Sequence, residues 1–379
     1  MKIGILTFHR AYNCGAALQA WALRTVLVRM GHAVEFIYND TCNAKRWILL
    51  TWEKSDDWRV ELFHALWSIG SFVRHFHLHL LTIPSLDIMR WRYRRFMKRY
   101  LPERTCSPNE FHQVFDLVVV GSDQVWNEEI CLGDAPLFFG EWSKGDVPLV
   151  AYAASAGDGV LPESTVLRLQ KALPRFSHVS VREKQTQRRL AALSGREIAH
   201  TLDPALLMSA QDYGLIADGS VPKEPYLFMY VLFRNDSYLQ VARELSRRLG
   251  LRCVVAVCYQ YSYWRKPPEV VCAVSPDRLV QYVRHAKYVL SASFHGTVLG
   301  VVFQKPLLSF LEKPESGESR SGSLLRLIGC ANRLVCPTEK GVEELQQILT
   351  APLPDYSSVL EAERAKSLAW LEFAVSTHK

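Results

Sequence analysis

The segment SASFHGTVLGVVFQKPLL, Ser291–Leu308, contains the turn, the helix and the second strand of one strand–helix–strand unit. The apolar residues Val289 and Leu290 precede it and predict the first strand, because short runs rich in β-branched residues are typical of buried strands. Small residues after His295 predict the helix, and a second apolar run follows Pro306. We therefore expect His295 at a strand-to-helix turn, where a side chain points into a cleft rather than into packing.

The same alternation of short apolar runs and helical patterns extends to both sides of this segment. In the first part of the chain the predicted strands are IGILTF, AVEFIY, DLVVVGSD, PLVAYAAS, HVSVRE and EIAHTLDP. In the second part they are YLFMYVLF, RCVVAVCY, VVCAVS, YVLSASF and PLLSFL. Continuous apolar runs are typical of parallel strands covered by helices on both faces. The sequence therefore predicts an α/β fold of two doubly wound, Rossmann-like domains with a cleft between them.

The domain boundaries are predicted from composition. The stretch DYGLIADGSVPKEP is rich in Gly, Pro and Asp and is predicted to be a linker. It separates a first domain, residues 1–215, from a second domain, residues 222–355. Residues 356–379 are predicted to form a C-terminal helix that can pack back on the first domain.

One part of the first domain, about residues 43–100, has no convincing strand pattern and is predicted to be a helical insertion. Its helices can pack aromatic side chains on the edge of the sheet, or they can present aromatic and basic residues to a membrane. Arg90–Arg99 holds six basic residues and no acid, within a net charge of +7. Such a local cluster favours phosphate groups or an anionic surface over general nucleic-acid binding.

The composition limits the class of protein further. With 379 residues, 49% hydrophobic and 22% charged, the chain suits a globular protein of two domains. No apolar run reaches the ~18 residues of a membrane span, and the start MKIGILTFHR lacks the pattern of a signal peptide. The nine cysteines form no C-x-x-C pair, so we expect free thiols in a reducing cytoplasm and no metal site.

Polar residues at the carboxyl ends of the predicted strands are candidates for a binding site, because ligands of open parallel sheets bind at that edge. After the first strand, Asn13 and Gly15 open a helix whose amide groups attract an anion or are simply capped. No G-x-G-x-x-G dinucleotide fingerprint is present. The run GSDQVWN mixes carboxylate, amide and indole groups as sugar sites do, although it also fits an ordinary turn. The candidates from this run and from the end of the next strand are Ser122, Asp123, Gln124, Trp126, Asn127 and Ser155.

Two arginines and the histidine of the opening segment complete the candidates. Arg182 follows the fifth predicted strand, and its guanidinium suits a carboxylate, a phosphate or a surface salt bridge with Glu183. Arg320 lies on a Gly/Ser-rich loop, where it can clamp an anion or be an ordinary surface residue. His295 can act as an acid or a base, because histidine titrates at about pH 6.5, and it also fits a packing role.

Several of these segments, in order along nearly the whole chain, resemble the motifs of the polysaccharide pyruvyl transferase family. The matching segments are AYNCGAALQAWAL, VVVGSDQVWN, AYAASAG, SVRE, LDPALL, SASFHGTVLGVVFQKPLL and SRSGSLLRLIG. The resemblance implies two domains arranged as in GT-B glycosyltransferases. It also implies transfer of pyruvyl from phosphoenolpyruvate onto two hydroxyls of one sugar, which forms a cyclic ketal in the biosynthesis of bacterial capsule or exopolysaccharide.

The resemblance also implies roles for residues of this chain. His295 matches the family histidine, and Arg182 matches the family's anion-binding arginine. We hypothesise that His295 transfers a proton and that Asp123 orients or deprotonates a sugar hydroxyl. Arg182 and Arg320 are expected to bind the donor together with Ser293, which stands where some members have an arginine. The residues expected on the acceptor side are Asn13, Gly15, Ser122, Gln124, Trp126, Asn127 and Ser155.

The implied partners are phosphoenolpyruvate as co-substrate and a sugar acceptor linked to a lipid diphosphate, with no cofactor, metal or nucleic acid. We therefore expect a cytoplasmic enzyme, and contact of Arg90–Arg99 with the inner face of the cytoplasmic membrane is a further hypothesis. Two alternatives fit the same fold. One is a GT-B glycosyltransferase that uses a nucleotide sugar, and the other is a carbohydrate-binding protein without turnover.

Overall fold

The computed structural model describes residues 1–38, 88–143, 147–157, 162–233, 235–258, 267–271, 274–311 and 319–378. Of the predicted helical insertion at about residues 43–100, only 88–100 lies within the described residues, and this part is helical. The two interpretations of the aromatic residues before position 88 therefore fall outside the described residues.

The first sheet has seven parallel strands in the order β3-β2-β1-β4-β5-β6-β7. These strands are β1 Lys2–Leu6, β2 Ala33–Tyr38, β3 Glu103–Thr105, β4 Leu117–Val120, β5 Leu149–Ala154, β6 His178–Val181 and β7 Ala199–His200. The sequence predicts all of them except β3. That edge strand has the sequence ERT, whose half-buried and exposed side chains give no apolar run.

The second sheet has six parallel strands in the order β10-β9-β8-β11-β12-β13. These strands are β8 Tyr226–Val231, β9 Arg252–Val257, β10 Val270–Val271, β11 Tyr288–Ser291, β12 Leu307–Phe310 and β13 Leu334–Val335. The strand β13, Leu334–Val335, is not among the strands that the sequence predicts. In each sheet the chain reverses its direction of winding once, between β1 and β4 and between β8 and β11. The prediction of two Rossmann-like domains is confirmed.

Helices cover both faces of the two sheets. In the first domain they are α1 Cys14–Arg29, α2 at 88–100, α3 Phe111–Val114, α4 Glu128–Cys131, α5 Ala135–Phe138, α6 Glu163–Ala172, α7 Lys184–Ser194, α8 Pro204–Leu207 and α9 Ala210–Ile216. In the second domain and the C-terminal tail they are α10 Asp236–Arg248, α11 Pro276–His285, α12 Phe294–Val302, α13 Arg320–Leu327, α14 Val342–Thr350 and α15 Ser357–Ser376.

Helix α1 joins the two domains. The Asn13 side chain caps it by accepting hydrogen bonds from the amides of Gly15 and Ala16, at 2.8 and 3.3 Å, and it ends before Gly31, whose φ of +87° favours glycine. The helix packs on α11 and α12 of the second domain. Because of this position it is buried on nearly all sides, and one apolar cluster continues through it from the first sheet to the second.

The predicted linker begins later than its composition indicates. Ser209 and Asp212 form a capping box, in which the Asp212 amide donates to Ser209 Oγ and the Ser209 amide donates to the Asp212 carboxylate. This reciprocal capping starts helix α9. The first five residues of DYGLIADGSVPKEP are therefore helical.

The last helix, α15, lies against β5 and α8 of the first domain. The Leu202 amide donates to Ser367 Oγ at 3.0 Å, and the Arg364 guanidinium donates to the carbonyls of Leu206 and Met208 at 2.6 and 3.0 Å. These contacts hold the loop between β7 and α8 in place.

Candidate active site

The reversal points of the two sheets face each other across the domain boundary, and a cavity of about 220 Å³ lies between them. We call this cavity the cleft. Loops after β1, β4, β8 and β11 line it, together with the first residue of α13. Its polar lining residues are Asn13, Asp123 and Gln124 from the first domain and Ser293, His295 and Arg320 from the second. This is where ligands of open α/β sheets bind.

His295 is the second residue of α12 and projects towards the first domain. An added Cβ at Gly15 would lie 2.3 Å from the imidazole Nδ1, so the start of α1 leaves room for the ring only because position 15 is glycine. The residue is 7% exposed. Its Nε2 lies 3.6 Å from Asp203 Oδ2 and has no hydrogen-bond partner within the described residues.

Asp203 is the N-cap of α8 and is only 1% exposed. Its carboxylate accepts hydrogen bonds from the Ala205 amide at 2.9 Å, from Ser122 Oγ at 3.2 Å and from Arg182 Nη1. Burial alone raises the pKa of a carboxyl, but the charges of His295 and Arg182 more than offset it. The pKa of Asp203 therefore lies well below its ordinary value, and the group carries a negative charge.

Arg182 lies directly after β6 and is also buried. Burial lowers the pKa of a guanidinium, but Asp203, Glu183 and Asp123 together raise the pKa of Arg182. Its Nη2 atom lies 3.9 Å from Asp123 Oδ1 and has no hydrogen-bond partner among the residues that the structure describes. The side chain is thus a buried cation held by carboxylates, with one nitrogen still available for a ligand.

The ring of Phe294 joins the two arginines of the site. The guanidinium carbon of Arg182 lies 4.8 Å from the ring centroid, and that of Arg320 lies 5.7 Å from it. Both distances are within the range of cation–π attraction. Because Phe294 precedes His295, this contact also fixes the start of α12 against the first domain.

The acceptor-side candidates separate into three groups. Asn13 and Gln124 line the cleft. The side-chain Nδ2 of Asn127 donates to Gln124 Oε1 at 3.0 Å. Gly15 and Ser122 lie behind the cleft, where they support His295 and Asp203. These five residues therefore belong to the site or to its immediate support.

Trp126 and Ser155 are corrections to the sequence-based expectation. Trp126 is fully buried in the apolar cluster on one face of the first sheet, and its Nε1 donates to the Phe138 carbonyl at 3.2 Å. Ser155 is fully buried and donates to Glu183. Neither side chain lines the cleft. The run GSDQVWN turns back into the core after Gln124, because its indole fills a space among aromatic rings that includes Phe176.

Asp203 is an important residue of the site that the sequence-based expectation does not include. A signal for it exists in the sequence, because Asp-Pro at the end of a predicted strand indicates a capped helix start. That pattern alone does not indicate that the carboxylate faces a histidine far along the chain. Among the residues that the structure describes, no three His, Cys, Asp or Glu side chains are grouped as metal ligands.

Comparisons with known proteins agree with this architecture. The family described as polysaccharide pyruvyl transferase matches residues 13–313. UDP-GlcNAc 2-epimerase from Neisseria meningitidis, bound to UDP-GlcNAc, is similar in structure with a TM-score of 0.53 and 11% identity over 100% of both chains. The enzyme of the same name from Methanocaldococcus jannaschii, in complex with UDP-GlcNAc and UDP, gives 0.51 and 11% over 97% of this chain and 99% of that chain. No curated protein sequence matches. At such identity the likeness shows the GT-B fold alone.

Proposed function

The chain belongs to the polysaccharide pyruvyl transferase family, and we propose that it transfers pyruvyl from phosphoenolpyruvate onto two hydroxyls of one sugar to form a cyclic ketal. One observation carries the proposal: Arg182 Nη2 and His295 Nε2 are buried on either side of Asp203 without a hydrogen-bond partner in the described part of the chain. Buried nitrogen atoms of this kind are costly unless a ligand satisfies them. A donor that carries both a carboxylate and a phosphate can satisfy both.

The proposed reaction needs a proton at C3 of the donor, because C2 is poorly electrophilic before protonation. His295 borders the cleft and is assigned this transfer, and the carboxylate of Asp203 lies 3.6 Å from its Nε2. One sugar hydroxyl then attacks C2, and Asp123, which lines the same cleft, orients it or takes its proton. Loss of phosphate makes C2 electrophilic again for the second hydroxyl. Arg182 and Arg320, with Ser293, bind the donor and stabilise the leaving charge.

The acceptor sugar is assigned to the cleft itself. Asn13, Asp123 and Gln124 offer amide and carboxylate groups for hydroxyls, while Phe8 and Phe233 from opposite domains provide apolar faces. This combination suits a sugar ring, which has polar edges and an apolar face. The acceptor class remains the one implied by the family, a sugar linked to a lipid diphosphate.

A direct assay tests the reaction. The full chain is incubated with phosphoenolpyruvate and a panel of lipid-linked and nucleotide-linked sugars, and products are examined by mass spectrometry for the pyruvyl increment. Release of inorganic phosphate that depends on the acceptor supports the proposal. Release of nucleotide from a nucleotide sugar, with phosphoenolpyruvate unchanged, indicates a glycosyltransferase instead. Saturable sugar binding without either release indicates a binding protein.

We also propose that helix α2 contacts the inner face of the cytoplasmic membrane. Its Tyr93 and Phe96 are buried against the protein, while Arg94, Lys98 and Arg99 are exposed. Trp91 is 59% exposed on the same helix. An exposed aromatic ring among cations suits the interface of an anionic bilayer. No helix among the described residues is long and apolar enough to cross a membrane.

Liposome co-sedimentation tests this contact. Replacing Arg94, Lys98 and Arg99 by glutamate is expected to abolish binding to vesicles that contain anionic lipid. Binding of wild-type protein to neutral vesicles is expected to be weak. Equal sedimentation of wild type and the charge-reversed variant would exclude a role of α2 in membrane contact.

A further inference from the structure

A second cavity, of about 390 Å³, opens between α7, α13 and α15. Phe294 and Arg320 line both this cavity and the cleft, and Arg182 lines its inner wall. We call the second cavity the cationic crevice. The crevice therefore connects the region around Phe294 and Arg320 to the protein surface by a route separate from the cleft.

The charges of the crevice lining are unbalanced. Among the described residues that line it, six side chains are basic and three are acidic, namely Glu183, Asp203 and Glu363. Arg182 already pairs with Asp203, so this carboxylate does not offset the outer cations. The six basic residues are Arg182, Lys184, Arg188, Arg320, Arg326 and Lys366.

The outer cations Lys184, Arg188 and Lys366 lie on two separate helices. Lys184 and Arg188 are one turn apart on α7, which puts their Cβ atoms about 6 Å from each other. Lys366 faces the same space from α15. Lys184, Arg188 and Lys366 are exposed, and none of them forms an ion pair with an acidic residue in the described part of the chain. An anion entering the crevice would meet positive charge from two sides.

A half-buried histidine near these cations is affected by their charges. His200 lines the crevice, and burial, with the nearby charges of Lys184 and Lys366, lowers its pKa. Its imidazole is therefore neutral at pH 7 and adds no charge of its own. At the inner end, Arg182 Nη2 is buried and has no hydrogen-bond partner among the described residues. The crevice thus combines an outer ring of cations with an unsatisfied buried donor at its base.

We propose that the cationic crevice receives the phosphate group of the donor and is the route by which inorganic phosphate leaves. The inference rests on the proposed pyruvyl transfer and adds Lys184, Arg188 and Lys366 as donor-specificity residues. The cleft suits hydroxyls because its described lining has one carboxylate and one guanidinium. The crevice suits a multiply charged anion. The donor then spans the boundary at Phe294, with its enol carbons towards His295 and its phosphate towards Arg182.

The atoms of the reaction balance in this arrangement. The two sugar hydroxyls lose two protons in total, and two C–O bonds to C2 form. One proton equivalent converts the C3 methylene to a methyl group. The C2–O bond to the phosphate breaks, and the second proton equivalent leaves on that group as hydrogen phosphate. No oxidant, reductant or further reactant is needed, and the only small product is the one that the crevice is charged to hold.

Calorimetric titration of the full chain with inorganic phosphate at low ionic strength tests the crevice directly, because exposed charges are screened by salt. The triple variant Lys184→Gln, Arg188→Gln, Lys366→Gln is expected to bind phosphate about tenfold more weakly, which corresponds to about 1.4 kcal/mol. Lys171→Gln is the matched control, because Lys171 is an exposed cation on α6 outside both cavities. It is expected to bind phosphate as the wild type does.

Steady-state kinetics identify the substrate that the crevice serves. In the triple variant the KM for phosphoenolpyruvate is expected to rise about tenfold with the acceptor KM unchanged, and phosphate is expected to inhibit competitively against phosphoenolpyruvate. Phosphate that competes with the acceptor instead, or that binds the triple variant as tightly as the wild type, would overturn the inference. Phosphate binding that depends on these residues in a chain that transfers no pyruvyl would leave the anion site standing and overturn the proposed reaction only.

Discussion

The two sheets wind in the same order, with one more strand in the first, but they bring different chemistry to the domain boundary. The carboxyl edge of the first sheet contributes two carboxylates, Asp123 and Asp203, with Arg182 between them. The edge of the second sheet contributes His295 and the nearby Arg320, and none of its described residues that line the cleft is acidic. The carboxylates therefore come from one domain and the imidazole from the other.

This difference shows that neither domain holds the candidate site alone. His295 gains its carboxylate neighbour only because α8 and the start of α1 contact α12. Phe294 makes the same connection through its ring contact with Arg182. Relative placement of the domains is thus a requirement of the chemistry, and substitutions on each side of the boundary can test it separately.

The largest effect on activity is expected from removing His295, the imidazole that the second domain contributes to the site. His295→Ala should lower kcat by about 10²- to 10⁴-fold, because it deletes the group assigned to proton transfer. The measurement is acceptor-dependent phosphate release from phosphoenolpyruvate. His285→Ala is the control, since His285 is an exposed histidine at the end of α11. Activity of His295→Ala within about twofold of the wild type would contradict the assignment.

Removing the charge of Asp203, which the first domain contributes to the site, is expected to lower the stability of the protein as well. Asp203→Asn leaves Arg182 buried without its main counter-charge, so the free energy of unfolding at pH 7 should fall by about 3 to 5 kcal/mol. The pKa of Asp203 is lowered in the folded state, so its stabilisation is present above the ordinary aspartate pKa and is lost as the pH falls below it.

Denaturant unfolding at several pH values measures this effect. The difference between wild type and Asp203→Asn should be largest near neutral pH and should shrink below about pH 4. Asp116→Asn is a suitable control, because Asp116 lies at the protein surface and accepts a hydrogen bond from the Lys2 amide. A constant difference across the whole pH range would contradict a charge-based role for Asp203.

The same comparison shows what the sequence can predict. Buried parallel strands are apolar runs, so they can be predicted from local sequence, whereas β3 is polar and gives no such run. Strand ends also locate His295, Arg182 and Asp123. The sequence does not show which side chain of a turn reverses into the core.

Two residues illustrate that limit. Trp126 follows the cleft residue Gln124 by two positions, yet it is fully buried, because the path of the turn depends on packing with distant rings such as Phe176. Asp203 becomes part of the site only through contacts with Arg182 and His295, which are far from it in sequence. Such pairings depend on the tertiary fold, and no local pattern specifies them.

A change where helix α1 contacts His295 of the second domain is expected to have an intermediate effect on activity. Gly15→Ala places a methyl group where the His295 ring now lies, so the imidazole must shift without any change in charge. A displacement of about 1 Å in a catalytic group can cost about 10²-fold in rate. We therefore expect kcat to fall by about that factor.

The control for this change is Gly341→Ala. An added Cβ at Gly341 meets no atom within 4 Å, and its φ of −65° suits alanine. That variant is expected to keep the wild-type rate. If Gly15→Ala also keeps it, the position of His295 against α1 does not matter for the reaction.

The smallest effect on activity is expected from Trp126→Phe, because this side chain packs in the core of the first domain and does not line the cleft. The substitution removes the indole N–H that bonds the Phe138 carbonyl, so stability should fall by about 1 to 2 kcal/mol because a buried acceptor loses its donor. The acceptor KM should not change, since the side chain does not line the cleft. By contrast, Gln124→Ala, two residues earlier in the same turn, should raise the acceptor KM. If both substitutions raised the acceptor KM equally, the whole turn would contribute to acceptor binding. The assignment of Gln124 to the cleft and of Trp126 to the core would then be wrong.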